Sequence, residues 1–370
     1  MTGPRLTDIA ENLPETVPFV GPEAIERRTG IRTRARIGAN ESGFGPSPKV
    51  IEAIKAATEW IWKYPDPENY DLRVAIADFH NVSPDEVAIG EGVDGLMGLI
   101  VRLFIAPGET LLTSLGAYPT LNYHVIGHGG RLEFVPYRGP FEDLDALAEA
   151  ARRLKPRIVY VANPDNPMGS FWSAADIERF IAAVPDETLI MLDEAYGELA
   201  PDGALPAIDT GKANLLRLRS FSKAYGLAGI RVGYAIGPKR LIGAFNRIRN
   251  HFGVNRLAQA AAIAALADQD YLQSARASIS AARERIAGIT RANGLTPLPS
   301  ATNFVAVDCG RDGAYALKIL EGLAQQGVFI RKPGTPGLDH HIRISVGPEP
   351  DMALLEAALP KAIEAAQGAA

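Results

Sequence analysis

Asn214-Leu215-Leu216-Arg217-Leu218-Arg219-Ser220-Phe221-Ser222-Lys223-Ala224-Tyr225-Gly226-Leu227-Ala228-Gly229-Ile230-Arg231-Val232-Gly233-Tyr234 is the stretch from which the rest of the chain is read. Residues 214–219 form a strand-like run. Two serines, a lysine, flexible glycines and an arginine follow it closely. Lys223 lies among small and apolar residues (Ala224, Leu227, Ala228), with Arg231 eight positions on. Desolvation and a nearby cation both disfavour the ammonium form. A neutral lysine is a nucleophile that can form a covalent bond with a carbonyl. Ser220, Ser222 and Arg231 could together hold a phosphate, the arginine through a charge-assisted fork. On this window alone a solvated loop lysine is an equally good reading.

Working outward, short apolar runs alternate with helical patterns. Runs at 87–89, 110–114, 132–137, 157–162, 188–192, 214–219 and 232–236 read as strands, and 48–62, 72–79, 96–104, 144–154 and 174–183 as helices. The alternation predicts an α/β fold, a largely parallel sheet covered on both faces. From Leu257 an Ala-rich helical stretch runs to Ala265, breaks near Asp268 and resumes to Ala292, as a helix connecting two domains would. The remainder, with strands at 303–307, 328–330 and 342–345 and helices at 314–326 and 351–366, reads as a smaller α+β domain. Residues 1–36 look like an arm, punctuated by prolines and closed by a basic patch (Arg27, Arg28, Arg32, Arg34, Arg36). Five arginines mixed with Glu23 and Glu26 read as solvated or subunit-facing.

Bulk properties narrow the function classes. The 370 residues carry a net charge of −5, with 47% hydrophobic and 22% charged residues, the profile of an ordinary globular protein. No basic excess points to nucleic acid. Cys309 is the single cysteine, so an intrachain disulfide and a Cys-rich metal site are excluded. The first 13 residues lack the apolar segment of a secretory signal. No run approaches the roughly 18 apolar residues of a membrane span. The expectation is a cytoplasmic enzyme with no membrane, nucleic-acid or metal partner.

Four groups of residues fall at strand ends in chain order. Gly90-x-Gly92-x-x-Gly95 follows a strand and opens a helix, with Glu109 about 20 residues on, in the form of a dinucleotide fingerprint. Its physical content is only backbone N–H groups able to hold an anion at a helix N-terminus; Asp94 as a helix cap is the plain alternative. Asn163-Pro164-Asp165-Asn166-Pro167-Met168-Gly169 is a turn where open α/β sheets place ligands, or simply a polar loop. Asp193 ends an apolar strand, where a carboxylate needs a partner, and Tyr196 follows three residues later. Residues 220–231 are the fourth group. A cofactor with a phosphate, a ring nitrogen, a phenolic oxygen and an aldehyde would use all four, and pyridoxal phosphate has these groups.

At this point the chain resembles the fold-type I pyridoxal-phosphate aminotransferases, most closely their histidinol-phosphate aminotransferase branch, over residues 10–365. The resemblance rests on Asn40-Glu41 with 44–48, Tyr64-Pro65-Asp66-Pro67, the 163–169 turn, 193–196, Ser222-Lys223 with 227–231, and 342–347. It implies a large domain with a mostly parallel seven-stranded sheet over residues 46–270. A smaller C-terminal α+β domain would span 271–370, with residues 1–45 as an arm and part of the small domain. It further implies that Lys223 binds the cofactor covalently and later moves a proton, that Asp193 holds the ring nitrogen, and that Asn166 and Tyr196 bind the phenolic oxygen. Tyr118 would stack on the ring. Gly92, Val93, Asp94, Ser220, Ser222 and Arg231 would bind the phosphate, and Tyr64 would reach the partner subunit's cofactor in a homodimer with a shared active site. Arg343, assisted by Arg331, would bind an anionic group of the substrate, beside Asn166.

Three residues depart from the branch. Phe19, in Val17-Pro18-Phe19, stands where a tyrosine contacts the substrate phosphate, and Asp165 and Met168 replace the usual Asn and Thr. A lost hydroxyl donor to a phosphate costs roughly 1.5–3 kcal/mol if nothing replaces it. The leading expectation is transamination between histidinol phosphate and 2-oxoglutarate. An aromatic amino acid aminotransferase is second, and a threonine-phosphate decarboxylase-like enzyme third. A nicotinamide-dependent oxidoreductase would leave Lys223, Asp193 and Asn166 without roles. A transcription regulator's effector domain would need a DNA-binding domain ahead of it.

Overall fold

The computed structural model describes residues 3–15 and 19–368; Val17 and Pro18 of the arm lie outside them. Twelve strands occur among these residues. In chain order they are β1 (Ala35–Arg36), β2 (Val87–Gly90), β3 (Thr110–Ser114), β4 (Arg131–Val135), β5 (Ile158–Ala162) and β6 (Leu189–Asp193). They continue as β7 (Leu215–Ser220), β8 (Gly233–Ile236), β9 (Thr296–Pro297), β10 (Phe304–Asp308), β11 (Val328–Phe329) and β12 (His341–Ser345). The main sheet has seven strands in the order β2-β8-β7-β6-β5-β3-β4. All its pairings are parallel except those of β8, which runs antiparallel to both β2 and β7.

Strands β5, β6 and β7 are buried along their whole length, as strands covered on both faces must be, which is why they read as unbroken apolar runs. One reversal in this sheet positions the site. Gly90 at the end of β2 and Ser220 at the end of β7 both pair with Gly233 at the start of β8. The loops after β2 and β7 therefore emerge side by side. Gly233 permits this: a Cβ there would lie 2.9 Å from the Arg219 carbonyl oxygen and 3.1 Å from Gly92 C and Val93 N.

The C-terminal part carries an antiparallel sheet, β12-β10-β9, and a two-stranded parallel sheet, β1-β11. The 24-residue helix Gln269–Ala292, about 36 Å long, follows the helix Arg256–Leu266 after a break at Asp268. Asp268 accepts from the Ser47 hydroxyl and from Lys49 Nζ at 2.8 Å, tying the break to the helix Pro48–Thr58. Among the described residues no helix is long and apolar enough to cross a membrane.

Three expectations change. The helix anticipated to Trp62 ends at Thr58, and Trp60, Ile61 and Trp62 face outward instead. The helix anticipated from Leu96 begins at Gly92, with Asp94 inside its first turn and Glu91 at the cap position, so Asp94 is not the cap. The arm residues Pro22–Thr29 are helical, the fixed φ of Pro22 suiting a first helical position.

Candidate active site

The C-terminal ends of β5, β6 and β7 are in register. Ala162 lies opposite Asp193, and Asp193 opposite Leu218, two residues before Ser220. The loops that follow, with the start of the helix Gly92–Phe104, wall a cavity of about 210 Å³. Lys223, Asp193, Asn166, Tyr196, Tyr118, Val93, Asp94, Ser220, Ser222 and Arg231 all line it. An adjoining outer cavity of about 660 Å³ shares Lys223, Tyr118, Asn166 and Asp94 and adds Phe19, Arg331 and Arg343.

Lys223 Nζ donates to the Asn40 carbonyl oxygen at 3.2 Å and lies 5.5 Å from the Tyr196 ring centre. No carboxylate pairs with it among the described residues. Burial, and then the charge of Arg343, lower its pKa to about 8, with Asp94 opposing and Arg231 adding to the fall. This is the direction the apolar neighbours and nearby cation predict.

Asp193 sits at the end of β6, 6% exposed. It accepts from the Tyr160 hydroxyl at 2.8 Å and from the Ala195 amide at 2.9 Å. Burial raises its pKa to about 6 against the pull of those two bonds. A buried carboxylate with no cation in ion-pair reach among the described residues, and lining a cavity, is matched by a ligand's N–H⁺.

Tyr196 and Asn166 meet. The Tyr196 hydroxyl accepts from Asn40 Nδ2 at 2.9 Å and from Asn166 Nδ2 at 3.4 Å, and Arg343 donates to Asn166 Oδ1 at 2.5 Å. Burial holds the Tyr196 hydroxyl above the ordinary phenol range. Arg343 is half-buried, its buried Nε has no partner among the described residues, and its guanidinium lies 5.2 Å from the Phe304 ring centre. Burial lowers its pKa. An arginine with an unused buried donor on a cavity wall is suited to an anion.

The candidate phosphate groups also converge. Arg231 Nη1 donates to Ser222 Oγ at 3.5 Å, and its Nη2 lies 3.7 Å from Asp94. Ser220 Oγ accepts from the Ser222 amide at 3.1 Å. Gly92 has φ +74°, and a Cβ there would lie 2.5 Å from Arg231 Nη2, so only glycine lets the guanidinium close on the first turn. The amides of that turn have no partner within the helix. Serine hydroxyls, free amides and an arginine together form a donor set for a dianion.

Two expected residues stand elsewhere. Tyr64 is 77% exposed, its ring 4.7 Å from that of Phe252, and it lines neither cavity. Glu109, the acidic residue of the dinucleotide reading, precedes β3 at the opposite edge of the sheet. It accepts from the Ala106 amide and lies 3.5 Å from Arg157. Parallel strands put that edge a full strand length from the cavity, so the fingerprint loses its acidic partner. Phe19 stands at the outer cavity with Arg331 5.5 Å over its ring, and Arg331 also donates to the Val20 carbonyl.

The sequence reading assigned no role to Asn40 or Tyr160. Asn40 touches Lys223 and Tyr196 and is fixed by Ser345 and Asn303. Its signal was weak: an asparagine in a turn, here at φ +56°. Tyr160, a lone hydroxyl in an apolar strand, was the more readable of the two.

The seven-stranded sheet, flanked by helices and joined to a smaller α+β part, is that of a fold-type I aminotransferase. Residues 35–361 match the family model of aminotransferase class I and II. The chain is 38% identical over 339 residues to histidinol-phosphate aminotransferase of Anaeromyxobacter sp. (strain Fw109-5), covering 90% of this chain and 91% of that one. It is 37% identical over 353 residues to histidinol-phosphate aminotransferase 2 of Pseudomonas aeruginosa, covering 94% and 95%. It superposes on the crystal structure of histidinol-phosphate aminotransferase from Sinorhizobium meliloti in complex with pyridoxal-5'-phosphate with a TM-score of 0.94. The identity there is 54%, covering 97% of this chain and 98% of that one. The chain belongs to the class I and II aminotransferases, in the histidinol-phosphate aminotransferase branch.

Proposed function

We propose that the protein binds pyridoxal phosphate and transfers an amino group between histidinol phosphate and 2-oxoglutarate. The observation that carries the cofactor reading is the pairing, across one cavity, of a half-buried lysine and a buried carboxylate, neither of which has an ion-pair partner among the described residues. The substrate reading is supported by relatives at 37–54% identity that carry the histidinol-phosphate aminotransferase name.

Bound at this site, the cofactor supplies an aldehyde for covalent attachment and a ring that accepts electrons from the bond being broken. Lys223 would be the attachment point, and its amine, when free, would carry the proton at the substrate carbon. A pKa near 8 keeps a usable fraction neutral at physiological pH. Asp193, oriented by Tyr160 and Ala195, would hold the ring nitrogen in its protonated form. Tyr196 and Asn166, bridged to each other, would bind the phenolic oxygen. Tyr118, on the cavity wall, would stack on the ring. Ser220, Ser222, Arg231 and the amides of Gly92, Val93 and Asp94 would hold the phosphate. Arg343 receives the anionic group of each substrate in turn, with Arg331 at the mouth. Phe19 brings no hydroxyl, but its ring holds the Arg331 guanidinium by a cation–π contact, which keeps a cation where a substrate phosphate would enter.

A homodimer completes this reading. Tyr64 points away from its own cavity, next to Trp60, Ile61 and Trp62, an exposed apolar stretch suited to a second copy. There its hydroxyl would reach the partner subunit's cofactor phosphate.

Purified protein with pyridoxal phosphate should form glutamate from 2-oxoglutarate with histidinol phosphate as donor, and Lys223→Ala should abolish it. Substantial turnover by Lys223→Ala, or none by the wild type with this donor, would overturn the assignment.

A further inference from the structure

We propose that Asp308, His340 and His341 form a binding site for a divalent first-row transition-metal ion of the zinc type, separate from the catalytic cavity. Asp308 ends β10 and His341 begins β12, and the two are direct cross-strand partners. Directly opposed residues put their side chains on one face of the sheet. His340 completes the group, its ring 4.0 Å from that of His341. One ligand atom from each of the three lies within 4.8 Å of the other two. Ligands at zinc-type bond lengths in a tetrahedral arrangement are about 3.4 Å apart, so closing on an ion takes side-chain rotations of an ångström or so. His340 is only half-buried and has that freedom.

A second observation points to a ligand here. His341 Nδ1 donates to the Leu338 carbonyl at 3.1 Å. This bond fixes the tautomer and leaves Nε2 as a lone-pair donor, which is how backbone carbonyls orient metal-binding histidines. Asp308 Oδ1 accepts from the Gly310 amide at 2.7 Å, steadying the carboxylate, and among the described residues no lysine or arginine forms an ion pair with it. Two imidazole nitrogens and one carboxylate oxygen suit zinc and its neighbours, not magnesium or calcium, which take oxygen ligands. Half-exposure on one side gives the ion an entry path, and three protein ligands leave a position for water.

The place in the fold indicates what the ion would do. The segment between β11 and β12 lines the outer cavity through Arg331, Lys332, Pro333, Gly334 and Thr335. Its near end is fixed by the bridge between Arg331 and Arg343. A metal joining His340 and His341 to Asp308 would add a side-chain link to the backbone pairing that holds its far end to β10. The ion is a structural brace for the wall of the substrate cavity.

The test uses tag-free holoenzyme, freed of metal by chelation, titrated with Zn²⁺ by calorimetry and with Co²⁺ by visible absorbance. One Zn²⁺ per chain is expected, with a rise in melting temperature. Asp308→Asn and His340→Ala should each weaken binding at least about tenfold, since losing a ligand costs no less than losing an outer-shell partner. Both should also abolish the Co²⁺ band and the thermal shift. His340 is half-exposed and outside the catalytic machinery, so its replacement leaves transamination unchanged in the absence of metal. Absence of saturable binding at one ion per chain would overturn the proposal. So would binding that both variants retain, which would put the ion at the cofactor or another histidine.

Discussion

The pKa of Lys223 is lowered by its surroundings rather than by a base. Desolvation contributes most, and Arg343 and Arg231 add their charge. The amine is competent only when unprotonated, so attachment should follow its titration. Cofactor recapture by enzyme stripped of pyridoxal phosphate is expected to accelerate as pH rises through about 8 and to level off above it. A rate still climbing at the pH of an ordinary lysine, about 10.4, would show that the protein does not lower this pKa. Most of the candidate residues at this scale were legible because each stood beside turn chemistry at the end of an apolar run: Asp193 after 189–192, Asn166 between two prolines, Lys223 between two strands. Asn40 was not. Its partner Tyr196 is 156 residues away, and no local pattern encodes a contact that only tertiary packing creates.

At the scale of elements, β6 and β7 carry the site on a buried ionic base. Glu194, fully buried, receives Arg217 Nη2 at 2.5 Å and Arg219 Nε at 2.8 Å, and Arg219 also reaches Glu198 at 3.1 Å. Arg217 further donates to the Pro206 and Ala207 carbonyls. Removing one member of such a group leaves a buried charge less compensated. Arg217→Leu is expected to cost about 3–5 kcal/mol, read as a clear fall in melting temperature; an unchanged melt would mean the network contributes nothing net. In the sequence, Arg217 and Arg219 were simply polar positions in a strand. The pattern gave the strand and hid the partner, because Glu194 directly follows the neighbouring β6. The helix 48–58 was overextended for a related reason. Trp60, Ile61 and Trp62 continue an apolar pattern, and periodicity cannot distinguish a face buried within the chain from one left exposed on it. The helix at Gly92 was started late because glycines in its first turn lower the helical signal.

At the scale of the molecule, the seven-stranded sheet and the α+β segment were legible from strand and helix alternation, while the short pairing of β1 with β11 was not: two residues per strand carry no period. That pairing ties the N-terminal segment 35–36 to the C-terminal part, next to Asn40 and the outer cavity. The exposed stretch 60–64 belongs to this scale too. Trp62, 74% exposed, is expected to lie in the subunit contact, so Trp62→Glu should convert a dimer to monomer in sedimentation and reduce activity with it. A wild-type monomer with full activity would contradict the shared-site reading.

The most direct test of the substrate and cofactor assignment is a single half-reaction. Enzyme loaded with pyridoxal phosphate is mixed in turn with histidinol phosphate, phenylalanine, tyrosine and glutamate, and the visible absorbance of the bound cofactor is followed. Rapid loss with histidinol phosphate and glutamate, and slow or no loss with the aromatic amino acids, is the expected result. Loss with phenylalanine or tyrosine while histidinol phosphate stays inert would contradict it, assigning the cavity beside Phe19 and Arg331 to an aromatic donor.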